Sequence, residues 1–144
     1  MVIDRPFDSY QIGESFTSRA RTITESDLVL FSAITGDWYP LHTDVEYAKK
    51  TPFGQRIAHG MLVLSVASGL SRLEPGWLVA FYGMDEVRFL NPTFIGDTIH
   101  VEAEVIDKQD KGSVGGILTF QLKIRKQTGE IVASGKVKLL VSKG

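Results

Sequence analysis

Apolar residues recur at helical intervals through the first half of the chain and alternate with polar ones through the second. Helices followed by strands are therefore expected. Residues 1–14 mix Asp4, Pro6, Gln11 and Gly13 without a period, and 15–22 predicts a strand. Thr24 stands three residues before Asp27, a capping-box spacing, and Leu28, Phe31 and Ile34 follow at helical intervals. A helix should start there and end at Gly36.

Pro40 lacks an N–H and pushes Tyr39 out of the α region, so 37–41 predicts a stiff loop without regular structure. Asp44 is placed to cap a short helix over 45–50, which Thr51, Pro52 and Gly54 stop. Residues 61–73 predict a helix with Leu62, Val66, Leu70 and Leu73 on one face and Ser65, Ser68 and Arg72 on another. Being apolar on more than one side, it should be buried.

After Pro75-Gly76 the period falls to two, predicting strands over 77–90, 98–107, 115–126 and 131–142. In the second, Ile99, Val101, Ala103 and Val105 oppose His100, Glu102 and Glu104; in the third, Leu118, Phe120, Leu122 and Ile124 oppose Gln121, Lys123 and Arg125. As antiparallel neighbours these would pair carboxylates with cations on a wet face. Gln127-Thr128-Gly129 suits a hairpin turn, while Gly83 and Gly135 mark bulges or close backbone approach. The expected class is α+β: one domain over 1–144, a curved antiparallel sheet wrapped around a central buried helix. Its edge needs cover, so at least a homodimer is expected.

Composition narrows the chemistry. The 144 residues include no cysteine, which excludes disulfides, zinc–cysteine sites and thiol nucleophiles and suits the cytoplasm. Sixteen basic against seventeen acidic side chains leave a net charge of −1, so no overall field draws the chain to nucleic acid or membrane. Asp4 and Arg5 interrupt any signal peptide, and no apolar run approaches membrane-spanning length.

Asp37 and His42, five residues apart across Pro40, can form a general acid/base pair on a stiffened loop. Equally, Asp37 can cap the turn after Gly36 while His42 packs as a hydrogen-bonded core residue. Gly60, heading the buried helix, offers a backbone N–H without an intrahelical acceptor and room for a ligand near the main chain, or serves only to start the helix. His59 is a polar neighbour or a structural histidine, and Ser68 a buried hydroxyl facing the site or a small helix residue. His100 belongs to the wet face. Histidines at 42, 59 and 100 have no metal-ligand spacing, so no metal is expected. No nucleophile elbow, phosphate loop or dinucleotide fingerprint occurs.

Gly36-Asp37-Trp38-Tyr39-Pro40-Leu41-His42 resembles the motif of the MaoC-like, (R)-specific enoyl-CoA hydratase family. The similarity continues through Ile57-Ala58-His59-Gly60-Met61 to Ser68-Gly69, and through Arg88-Phe89-Leu90-Asn91-Pro92 and Gly96-Asp97-Thr98. It implies a hot-dog fold in an obligate dimer, acting without a cofactor on an acyl-CoA thioester held at or near the subunit interface. By position, Asp37 and His42 would share a water, the Gly60 N–H would polarise the thioester carbonyl, and Trp38, Tyr39, His59 and Ser68 would border the substrate. Tyr39 stands where the family carries Asn, implying a reshaped acyl pocket or altered hydration. The alternatives are a hot-dog thioesterase, for which 61–73 lack an acidic residue, and a non-catalytic acyl-CoA-binding module.

Overall fold

The computed structural model describes all 144 residues. Eight strands and four α-helices follow in order: β1 (Val2–Ile3), β2 (Ser15–Thr17), β3 (Arg21–Thr22), α1 (Glu25–Thr35), α2 (Pro40–Thr43), α3 (Val45–Ala48), α4 (Gly60–Gly69), β4 (Arg72–Leu73), β5 (Leu78–Phe89), β6 (Thr98–Asp110), β7 (Gly116–Lys126) and β8 (Ile131–Val141). The main sheet is antiparallel with order β2-β6-β7-β8-β5, and β3 also pairs with β6.

The alternation in β6 and β7 has the expected consequence. Ile99, Val101 and Val105 join Leu118, Phe120 and Ile124 in a core cluster that meets Leu62, Val63, Val66 and Ala67 of α4. Each such fully buried aliphatic side chain contributes about 1.5–3 kcal/mol, so the sheet and α4 hold one another. On the opposite face Arg125 Nε donates to Glu102 at 2.9 Å, the expected cross-strand pairing.

Four local expectations need correction. Helix α4 ends at Gly69 rather than residue 73 because Arg72–Leu73 pairs in parallel with Val2–Ile3. The aperiodic start of the chain is therefore built in, with Met1, Ile3, Phe7 and Tyr10 buried. The first strand breaks between β2 and β3, where Ser18 bonds Val101 through both its N–H and its hydroxyl. Residues 37–41 are not wholly irregular, because Pro40 opens α2 at the first helical position, where its missing N–H costs nothing.

Other signals are realised closely. Thr24 and Asp27 form a reciprocal capping box, and Gly36 ends α1 with φ 77°, a left-handed conformation that favours glycine. Asp44 caps α3 by accepting from the Glu46 and Tyr47 N–H groups. Gly135 admits Val87, whose Cγ2 would lie 3.1 Å from an added Cβ, beside a bulge between Asp85 and Arg88. Thus α2 and the N-terminus of α4 meet at the wall of a cavity, with α1 packed against both helices.

Candidate active site

Gly36 turns the chain out of α1 so that Asp37 begins a tight turn, its Oδ1 accepting from the Tyr39 N–H at 3.2 Å. One turn of α2 then presents His42. Its Nδ1 lies 2.8 Å from the carbonyl of Ile57, and a carbonyl can only accept. Nδ1 therefore carries the proton of the neutral ring and Nε2 keeps its lone pair.

His59 lies beneath His42, the two rings stacked with centroids 3.9 Å apart and planes inclined by 28°. Its Nε2 donates to the backbone carbonyl of Asp37 at 3.1 Å and lies 3.2 Å from Ser32 Oγ. Its Nδ1 has no partner, and the residue is 2% exposed. Burial lowers the imidazole pKa, only partly opposed by the Asp37 carbonyl, while His42 adds to the lowering. His59 is thus a neutral post tying the Asp37 backbone to α4 and supporting the His42 ring.

The cavity beside His42 has a volume of about 480 Å³, with walls including Phe53, Ile57, Met61, Phe89 and Leu90. Gly60 also borders it, and the N–H groups of Gly60, Met61 and Leu62 at the head of α4 have neither backbone nor side-chain acceptors. Three free donors and the positive end of the helix dipole suit a developing oxyanion. The room left by the missing Cβ of Gly60 holds the Phe89 ring, whose nearest atoms would lie 2.7 Å from an added Cβ. The glycine thus accommodates an aromatic wall of the cavity.

The structure brings Asp37, His42 and Gly60 to one region and distributes the other expected residues around it. Trp38 and Tyr39 are each 53% exposed and stand outside this cavity's lining. The Tyr39 ring meets His42 edge-on, and its hydroxyl lies 3.1 Å from that of Tyr47. Ser68 lines a neighbouring apolar pocket of about 190 Å³ with Phe81 and Met84, and Met61 borders both spaces. His100 lies 3.5 Å from Glu102, away from the cavity.

Sequence spacing did not place Ser32, Ile57 or Phe89 at the site, because each arrives through tertiary packing. It also missed a possible ligand set: atoms of Asp37, His42 and His59 lie within 4.8 Å of one another. The donors do not fit a metal well. Stacked rings send their in-plane lone pairs along separate lines, not to one ion about 2.0–2.1 Å from each nitrogen.

A curved antiparallel sheet wrapped around a buried helix is the architecture of the hot-dog fold. A Mycobacterium tuberculosis structure described as a double hotdogfold superposes with a TM-score of 0.83 at 21% identity, covering 96% of this chain and 44% of the other. The MaoC like domain family matches residues 8–120, and the chain belongs to that family of MaoC-like dehydratases. It is 40% identical over 96 residues to the (R)-specific enoyl-CoA hydratase of Rhodospirillum rubrum, a match spanning 65% of this chain and 64% of that relative, just under two thirds. The structure of the monoamine oxidase regulatory protein from Archaeoglobus fulgius superposes with a TM-score of 0.91 at 45% identity, covering 100% of this chain and 99% of that one.

Proposed function

We propose that the chain is an acyl-CoA hydratase/dehydratase, adding water reversibly to a trans-2-enoyl-CoA to give an (R)-3-hydroxyacyl-CoA. The observation carrying this reading is that His42 and the uncapped head of α4 border one apolar cavity, with the Asp37 carboxylate within 4.8 Å of a His42 ring nitrogen. Asp37 and the Nε2 of His42 hold one water between them. Its oxygen bonds to C3 of the enoyl group, the C2–C3 π electrons move toward the thioester, and C2 receives a proton through the Asp37–His42 pair. Charge on the thioester oxygen is met by the Gly60 N–H. The reverse sequence is dehydration, and neither direction needs a cofactor.

The apolar cavity suits an acyl chain, and the separate apolar pocket on the other side of Met61, bordered by Ser68, offers further room if Met61 swings aside. Trp38 and Tyr39 border the approach to the pair. A second copy of the chain is the partner in this reading, since Val79, Phe81, Tyr82 and Met84 project from the edge strand β5. The cysteine-free chain needs no oxidising compartment, in keeping with cytoplasmic CoA thioesters. No helix is long and apolar enough to cross a membrane.

The test follows enoyl absorbance on trans-2-enoyl-CoA substrates from short to long chain and identifies the hydroxyl configuration of the product. Water addition with (R) product is expected. Free thiol released without loss of the enoyl chromophore would instead support a thioesterase, and calorimetric binding without turnover an acyl-CoA-binding module.

A further inference from the structure

Behind the cavity lies an ion pair unused by the proposed chemistry. Asp97 and Lys126 are 8% and 6% exposed, and Lys126 Nζ lies 3.4 Å from Asp97 Oδ2. The same ammonium donates to the Pro92 carbonyl at 3.3 Å, approaches Glu130 at 3.3 Å and lies 5.2 Å from the Phe94 ring centroid. Asp97 accepts from the Phe94 N–H at 2.8 Å and from Gln127 Nε2 at 2.7 Å. These bonds make the pair a clamp on 92–94, a segment that belongs to no helix or extended strand.

That short segment meets the catalytic candidates through two adjacent backbone contacts. The Thr93 carbonyl accepts from the Ala58 N–H at 2.8 Å, two residues before Gly60. Phe94 forms an isolated antiparallel bridge with Ile57, whose carbonyl accepts from His42 Nδ1 at 2.8 Å. Moving 92–94 therefore displaces both the acceptor that selects the His42 tautomer and the chain leading to Gly60. Buried charges are costly unless paired, and this pair bonds directly to the backbone of that segment.

We propose that the Asp97–Lys126 pair positions the active centre: by clamping 92–94 it holds the Ile57 carbonyl against His42 and sets the approach to the head of α4. The catalytic consequence rests on the proposed hydratase reading; the effect on His42 does not. Lys126 and Asp97 touch no reacting atom and act through backbone.

The experiment compares the full-length wild type with Lys126→Met and Lys126→Arg. Imidazole nitrogen NMR reads the tautomer of His42, assigned with His42→Gln, while steady-state kinetics on a turned-over enoyl-CoA separate kcat from KM. A folded Lys126→Met should lose the fixed Nδ1–H signature, with kcat down about tenfold to a hundredfold, a proportionate response to roughly 1 Å of misplacement. KM should change less, and Lys126→Arg should restore much of the signature. An unchanged His42 signature in folded Lys126→Met overturns the proposal, whether or not the wild type hydrates the substrate. Should Lys126→Met not fold, the same measurement is made on Lys126→Met/Asp97→Asn, which buries neither charge alone. Loss of the signature there supports the proposal and retention overturns it.

Discussion

His59 shows how one side chain can belong to a site through its neighbours. Its Nε2 is committed to the Asp37 carbonyl and its ring to His42, so protonation would place charge where burial disfavours it. The folded-state pKa is lowered, so the unfolded chain binds more protons near and below its ordinary value of about 6.5. This contribution to stability is fully present above that value and declines as pH falls through it. Urea unfolding between pH 8 and 5 should show the decline in wild type, with the corresponding slope removed in His59→Phe. An identical slope in both would contradict the neutral-post role.

At the scale of elements, the clearest local rule concerns α1. Its capping box satisfies donors at a helix end, and Thr24→Ala should lower unfolding stability by about 1 kcal/mol, measured by chemical denaturation. No loss would show that the cap adds nothing beyond tertiary packing. Such signals were legible in sequence because one or two residues carry their physics: Thr24 with Asp27, Gly36, Asp44 and the alternation in β6 and β7. The pairing of β1 with β4 was not, because Val2–Ile3 and Arg72–Leu73 become strands by meeting across the fold. The site divides likewise. Asp37 and His42 stood out through spacing across Pro40, and Gly60 through its place before an apolar run. His59's tie to Asp37, the Phe89 wall and the Ile57 carbonyl required the folded contacts.

Across the whole molecule, sheet closure is incomplete at β5. This strand pairs with β8 on one side and exposes Phe81 and Tyr82 at 53% and 58%. An edge of this kind invites another strand, and in the proposed assembly a second copy would supply it with symmetry. Sedimentation should give a dimer for wild type and a shift toward monomer for Phe81→Lys, which places a charge on the apolar edge. A monomeric wild type at micromolar concentration would remove the case for pairing through β5.

The proposed chemistry depends on cooperation between two side chains held beside one helix head. Hydration of crotonyl-CoA, followed by loss of enoyl absorbance, tests it most directly in wild type, Asp37→Asn and His42→Gln. Turnover in wild type and a fall of about 10²–10⁴-fold in kcat for each folded variant are predicted. Equal rates in all three proteins would contradict shared activation of water by Asp37 and His42.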